Sequence, residues 1–507
     1  MTVFVPTGPL PRHRARPLTC LGDAREADLG GYSEFSKVIA PDSDKRQLVR
    51  KWWEWDYLAE VAENLDLMGP GRRVVGLGVG HEPLIFYFAS RGCDVLATDL
   101  YAGDTAWAEA RFATAQAVHA ASPIPYDIDK VRLENADMRE LPCADGEMDF
   151  AWSCSSIEHV PTLSDLFKVM HELYRVLKPG GHALLTTEWS LNGEPYLLPG
   201  VNAWDPAVLA LIRDAFPGFA FVGPDDFSFD VSHPANAPRM RRQFPAGMHH
   251  PHARDFAEAY RGGHTGVLLG VSTCVPIAFT LKKIGGVDNQ SWADAPVPAD
   301  LRAYTDGLDH FHAGREAQAV PLLEGLMSDL RGRTDRRQLA LHAGRFLLDA
   351  KIRSEGLQER PGELRAFVAD YLTWCPEGVL QDGDCLDLFA YVLGEAGDYD
   401  ESARLSRMCL DSPSTNMDHI FELSQRYLTV QKRAGRFTTA VDEVAGYLAD
   451  MAWTGATREA MEAGAAKSFA AAFDRRERKI IQKAVGLRID AMVDDLSSRW
   501  GSHALGV

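Results

Sequence analysis

The stretch Val74-Val75-Gly76-Leu77-Gly78-Val79-Gly80-His81-Glu82-Pro83 is followed by a second apolar run that ends Leu96-Ala97-Thr98-Asp99. An apolar strand, a glycine turn, a helix start and an acid at the tip of the next strand make a nucleoside-binding βαβ unit. The glycines let the backbone turn tightly and let a ligand lie against it without meeting a Cβ atom. Pro83 suits the first turn of a helix, where its missing N–H is not needed. A helix is therefore expected from Glu82 or Pro83 to Arg91, with Gly92 ending it. Asp94 to Thr98 reads as the second strand, and Asp99 at its end can accept two hydrogen bonds from a ribose diol.

The glycine spacing separates two cofactor classes. A dinucleotide fingerprint is G-x-G-x-x-G, whereas here the third glycine comes one residue early and the sixth position is His81. Three further motifs follow. Asn135-Ala136-Asp137-Met138 comes after a short strand around Val131 to Glu134. Met148-Asp149-Phe150-Ala151-Trp152-Ser153-Cys154-Ser155-Ser156-Ile157-Glu158-His159-Val160 is a fourth strand running into a polar turn. Leu173 to Gly181 is a helix stopped by Lys-Pro-Gly-Gly, before a strand through Leu184, Leu185 and Thr186.

In this order and spacing, over roughly residues 46 to 190, the chain resembles class I S-adenosylmethionine (SAM) methyltransferases. The resemblance implies a Rossmann-like α/β domain with a seven-stranded, mostly parallel sheet. It implies SAM contacts at Gly76, Gly78, Gly80, Glu82, Asp99, Leu100, Asp137, Met138 and Ser153, with Asp137 accepting the adenine amino group. The chain departs from the family just before the first glycine, where Val75 stands in place of an acid and Glu82 follows the turn instead. Gly-His-Glu-Pro and Ser-Ser-Ile-Glu-His look like a subgroup associated with bacterial saccharide and cell-surface glycan pathways.

Methyl transfer needs the acceptor held in line with the methyl group and water excluded. A hydroxyl acceptor gains from a general base. His159, in the turn after strand four, is the first candidate, because its ordinary pKa suits the task. Glu188, directly after strand five, is the alternative base or a ligand for the acceptor hydroxyl. Beyond strand five the chain leaves the common plan. A helix around Pro206 to Ala215 and a loop-like stretch from Asp225 to Arg254 precede β-like runs at Val267 to Val271 and Val275 to Leu281. Such an insertion, about 190–265, is where an acceptor pocket or lid is built. Arg241, His249 and His250 there suit an anionic or polyhydroxyl acceptor. His249, His250 and His252 sit on a Pro-flanked loop without fixed ligand geometry, so no metal is assigned.

Residues 44 to 67 form an expected helix with Trp53, Tyr57, Val61 and Leu65 at helical spacing. Residues 1–43 read as an N-terminal arm, 44–285 as the methyltransferase domain and 286–300 as a linker. Residues 301–507 look helical. In that half Gly314, Gly397 and Gly435 each stand five residues before a small residue, Ala319, Ser402 and Ala440. This resembles the turn and second helix of tetratricopeptide repeats and implies a surface for a protein partner or a homodimer.

A formal net charge of −18 disfavours broad nucleic-acid binding. Eight cysteines without a C-x-x-C pair read as reduced thiols, and no apolar run is long enough for a membrane span, so a cytoplasmic protein is expected. The resulting expectation is a SAM-dependent O-methyltransferase acting on a sugar or glycan precursor. The alternatives are an N- or C-methyltransferase of a natural-product pathway, a non-catalytic scaffold with a methyltransferase-like fold and, more remotely, an NAD-dependent oxidoreductase.

Overall fold

The computed structural model describes residues 19–23, 34–39, 50–101, 115–120, 122–233, 236, 265–269, 272–374, 383–411, 417–452, 469 and 472–500. Arg241, His249 and His250 lie outside these residues. The chain divides into two compact units, the first reaching Asp309 and the second running on from His310.

Along the chain, the first unit holds β1 (Thr19–Leu21), α1 (Glu34–Ile39), α2 (Arg50–Asn64), β2 (Arg73–Leu77), α3 (Pro83–Ser90), β3 (Asp94–Asp99), α4 (Ala115–Ala120), β4 (Val131–Asn135) and β5 (Met148–Cys154). There follow α5 (Leu163–Val176), β6 (Leu177–Ser190), β7 (Tyr196–Leu198), β8 (Val201–Trp204), α6 (Pro206–Ala215), β9 (Phe219–Phe221), β10 (Asp225–Asp226), β11 (Val267–Leu269), β12 (Ser272–Lys283) and α7 (Ala299–His312).

The sheet order is β10-β1-β12-β6-β5-β2-β3-β4. Strands β2 to β6 pair in parallel, and β12 runs antiparallel to β6 from Cys274 opposite Ser190 to Lys282 opposite His182. Parallel pairing brings the carboxyl ends of β2, β3, β5 and β6 to one edge, where ligands bind in such sheets. The expected seven-stranded sheet is thus larger and more mixed. Strand β9 pairs with β12, and the β7–β8 hairpin joins β6 through Glu188 and Trp189. The arm assigned to 1–43 also contributes, because Thr19–Leu21 pairs with both β12 and β10 and buries Cys20. Three residues are too few to show a period of two, which is why the strand was not read.

Helix starts follow local chemistry. Pro83 occupies the first turn of α3 after Glu82, and the Asp205 carboxylate accepts the Val208 N–H at 2.9 Å to cap α6. In α2, Trp53, Tyr57 and Val61 are buried as the spacing required, and Trp53 stacks on Tyr57 at 5.3 Å. The helix ends at Asn64, so Leu65 lies beyond it, and the expected start at 44–49 lies outside the described residues. The same helix also buries Glu54, a charge on its packed face.

The stretch expected as a linker is part of the first unit. The Trp292 ring meets Phe167 edge-on at 5.1 Å, Asn289 Oδ1 accepts the Gly218 N–H, and the Gln290 N–H donates to Ala215 O. Further on, Tyr304 OH donates to Leu197 O, and Asp309 accepts from Thr162 Oγ1 and Ser164 Oγ at 2.9 and 2.6 Å. Two prolines and an absence of periodicity marked an irregular chain, but an irregular chain can still be packed.

The second unit is helical: α8 (Glu316–Asp329), α9 (Arg337–Glu355), α10 (Pro361–Leu372), α11 (Gly383–Glu395), α12 (Tyr399–Asp411), α13 (Met417–Arg433), α14 (Phe437–Ala452) and α15 (Arg475–Trp500). Gly314, Gly397 and Gly435 take positive φ of 69°, 83° and 74°, each two residues before the next helix begins. Ala319, Ser402 and Ala440, five residues on, are all buried. Close helix approach explains the small residues. A Cβ added to Gly394 of α11 would lie 2.7 Å from Val430 Cγ2 of α13.

Candidate active site

The glycine turn after β2 is built as a cradle. Gly78 and Gly80 take φ of 62° and 47°, in the region glycine adopts without strain. A Cβ on Gly78 would sit 2.7 Å from Ser156 Cβ, and Ser156 Oγ donates to Gly78 O at 2.6 Å. The turn after β5 therefore closes one wall of the cradle. Gly76 has a different reason for being glycine. A Cβ there would meet the Trp152 ring at 2.4 Å, so its place is in the packing of β2 on β5.

Asp99 closes β3 over this turn. Its Oδ2 accepts the Gly80 N–H and its Oδ1 the Leu100 N–H, both at 2.7 Å, while Tyr101 OH donates to Gly80 O. Burial pushes the Asp99 carboxyl upward, against these two N–H bonds. Each oxygen keeps a lone pair for a ribose hydroxyl. Leu100 follows it and is 45% exposed, available as an apolar face.

Asp137 lies at the turn after β4, engaged with a neighbour that sequence reading passed over. Arg139 donates to it through its backbone N–H at 2.9 Å, through Nε at 3.0 and 3.1 Å and through Nη2 at 2.6 Å, and reaches Asp165 at 3.0 Å through Nη1. This guanidinium holds the Asp137 carboxyl below the usual range. The signal was available, since an Asp-x-Arg turn brings the cation back onto the acid. The Met138 methyl would stand 3.1 Å from a Cβ on Gly78, so Met138 reaches over the cradle. Ser153 is fully buried, its hydroxyl donating to Leu77 O of the neighbouring strand at 3.1 Å.

At the carboxyl ends of β5 and β6 the structure gathers charge that sequence reading had only in pieces. Glu54, Glu82, Glu158 and Glu188 are buried or half-buried together with Arg50 and Lys51 from the start of α2. Glu54 accepts Ser155 Oγ at 2.5 Å, Thr186 Oγ1 at 3.1 Å, Lys51 Nζ at 3.2 Å and Arg50 Nε at 3.3 Å. Burial pulls its carboxyl up, but Lys51, Arg50 and the Ser155 bond outweigh it and hold it at about 2. Glu82 receives an indole N–H on each oxygen, Trp152 at 2.5 Å and Trp55 at 3.0 Å. Burial dominates there and raises it to about 7. Its observed partners are thus two tryptophans, one on α2 and one on β5.

His159 and Glu188 are brought to this same edge. His159 Nδ1 lies 2.5 Å from Gly200 O. A carbonyl can only accept, so Nδ1 carries the proton and the lone pair is on Nε2. Burial lowers its pKa, favouring this neutral form. Asn202 Nδ2 fixes the turn by donating to Glu158 O at 3.0 Å and Val160 O at 2.7 Å. Glu188 pairs with Arg50 through Oε1, and its buried Oε2 has no hydrogen-bond partner among the described residues.

Part of this chain is similar to known proteins. A family model described as a methyltransferase domain matches residues 75–185. Tocopherol O-methyltransferase of Arabidopsis thaliana is 35% identical over 101 residues, 19% of this chain and 27% of that protein. The malonyl-[acyl-carrier protein] O-methyltransferase of Enterobacter lignolyticus is 30% identical over 115 residues, 23% of this chain and 38% of its own length. The chain thus spans well under half of either relative. Among solved structures, a Burkholderia thailandensis 1,6-didemethyltoxoflavin-N1-methyltransferase with bound 1,6-didemethyltoxoflavin and S-adenosylhomocysteine is 16% identical, covering 49% of this chain and 85% of that one at a TM-score of 0.30. No helix among the described residues is long and apolar enough to cross a membrane. With the glycine cradle, the strand-end acid and the family match all falling on one segment, this chain carries a class I SAM-dependent methyltransferase domain.

Proposed function

We propose that the protein transfers the methyl group of SAM to a hydroxyl of a small-molecule acceptor, a sugar or glycan precursor being the class to screen first. The observation that carries this reading is the buried acid cluster at the carboxyl ends of β5 and β6, beside the glycine cradle. The backbone at Gly78 and Gly80 and the remaining lone pairs of Asp99 fit the ribose end of the cofactor. Bound SAM supplies an activated methyl group. Arg50 and Lys51 are the cations of this edge that would hold its carboxylate end. The neutral His159, and Glu188, whose Oε2 has no hydrogen-bond partner among the described residues, are the groups that can take a hydroxyl proton. Arg241, His249 and His250 remain candidates for contacts with the acceptor.

The second unit fits a tetratricopeptide-like repeat that binds a protein partner or a second copy of the chain. The equivalent positive-φ glycines and buried small residues at three helical turns support this reading.

The test is isothermal titration with SAM and, separately, with NAD, repeated on Asp99→Ala. SAM is expected to bind, and the variant to lose at least about a hundredfold in affinity, since two bonds to a charged group are worth about 1.5–3 kcal/mol each. A screen of sugars and nucleotide sugars follows. NAD binding without SAM binding by the folded protein would overturn the assignment, and light scattering at varied concentration tests for a homodimer.

A further inference from the structure

We propose that Glu82 holds the ammonium group at the methionine end of SAM, and that Trp55 and Trp152 are the residues that position its carboxylate for this. The inference rests on SAM being the cofactor.

Its first support is the use of space at the end of β2. Gly76 pairs with Trp152 across β2 and β5, and a Cβ on Gly76 would lie 2.4 and 2.6 Å from two atoms of the Trp152 ring. The bare glycine thus admits the indole to the start of the cradle, and from there Trp152 Nε1 donates to Glu82 Oε1 at 2.5 Å. Glu82 is the one acid from Val75 to Ser90. In the sheet, β3 with Asp99 flanks β2 on one side and β5 with Trp152 on the other. With the ribose assigned to Asp99, the β5 flank remains for the amino-acid end.

The second support is how the carboxylate is held. Trp55 of α2 donates to Oε2 at 3.0 Å, so each oxygen is fixed by one indole N–H, from two different elements. Glu82 stands just before α3, yet its side chain makes no capping bond to that helix. Each oxygen keeps a further lone pair, and the residue is half-buried, whereas Glu54 is fully enclosed.

The third support is charge. The titratable groups facing Glu82 are Lys51 and Glu54 from α2, Tyr101 beyond β3 and Cys154 from β5. Lys51 is committed to Glu54 and to Cys154 O. Among the described residues no cation pairs with Glu82; its side-chain bonds are the two indoles. Two neutral donors fix a carboxylate without matching its charge, and burial accordingly raises it to about 7. A ligand ammonium supplies the missing charge, and a proton held by Glu82 leaves to solvent as it binds. With Arg50 and Lys51 on the same edge for the carboxylate, both ends of a zwitterion meet opposite charge.

The test is isothermal titration of the full chain with S-adenosylhomocysteine and with its analogue carrying hydrogen in place of the amino group. The unaltered protein is expected to prefer S-adenosylhomocysteine by about tenfold or more, and Glu82→Gln to bring the two ligands within about threefold by weakening S-adenosylhomocysteine alone. Trp55→Phe keeps the ring and removes the N–H. It is expected to narrow the preference, more so at about pH 6 than at about pH 8, because an acid with one donor fewer holds its proton more firmly. Added to Glu82→Gln, it is expected to change the preference no further. A preference unchanged in Glu82→Gln, whether both affinities persist or fall together, overturns the ammonium contact. A preference unchanged in Trp55→Phe overturns the positioning role. Failure of the unaltered, folded protein to bind S-adenosylhomocysteine removes the cofactor and this contact with it, an outcome distinct from binding that ignores the amino group.

Discussion

Glu54→Gln is the most informative single change in the first unit. Glu54 is fully buried and compensates Arg50 directly and Lys51 from the next position. Glutamine keeps the shape and one acceptor oxygen but removes the charge. Ser155 and Thr186 can rotate their hydroxyls to suit an amide, whereas Arg50 cannot change its charge. Removing one partner of a buried pair costs about 3–5 kcal/mol. The Lys51 side chain is 42% exposed, so water offsets its part, and we expect the low end, about 3 kcal/mol. The folded carboxyl, at about 2, lies below its unfolded value, so this stability is present above about pH 4.5 and is lost as pH falls toward 2. Hydrogen–deuterium exchange read on peptides covering α2 isolates this region from the second unit. A loss of about 3 kcal/mol makes opening about a hundredfold more frequent at neutral pH. Protection of α2 in Glu54→Gln within about threefold of the unaltered protein would show that the two cations do not depend on this carboxylate.

Other outcomes follow from the same packing. Glu82 has its carboxyl raised to about 7, so the folded state binds more protons than the unfolded one between about 4.5 and 7, and its contribution to stability falls as pH rises through that window; Glu82→Gln is expected to flatten this part of a melting-temperature-versus-pH curve. Gly394→Ala forces a methyl against Val430 and is expected to cost about 1–3 kcal/mol, read as faster exchange in α11 and α13 with α2 and α3 unchanged. A fragment ending at residue 300 loses the bonds of Tyr304 and Asp309 and is expected to melt lower than one ending at 309, which calorimetry on the two fragments compares; equal melting would place the boundary where the sequence suggested it.

The parts of this protein that were legible in its sequence are those encoded by local rules. Pro83, Gly92 and Pro206 mark the ends of helices because those signals depend on a few adjacent residues. The Gly76 to Asp99 unit could be read because a strand, a turn and a helix in succession leave few ways to be arranged. The three glycines of the helical half could be read for the same reason, each with a small residue at a fixed distance. What was missed depends on pairing across sequence distance. Thr19–Leu21 gains its place from β12 and β10, more than 200 residues away, and the stretch around Trp292 from Phe167, Ala215 and Gly218.

The buried acids show the same limit in chemical terms. Glu54 occupies a helix position that reads as solvated, because a charge placed between aromatic residues ordinarily belongs on the outer face. Its burial makes sense only once β5 and β6 bring Ser155 and Thr186 to it and α2 supplies Arg50 and Lys51. Those cations are in turn enough for two carboxylates but not for four. The surplus falls on Glu82 and Glu158, whose surroundings, two indoles for one and a hydroxyl for the other, tolerate a neutral acid. A sequence can announce each glutamate separately. Which of them keeps its proton is decided by a count of charges that exists only after the sheet has formed.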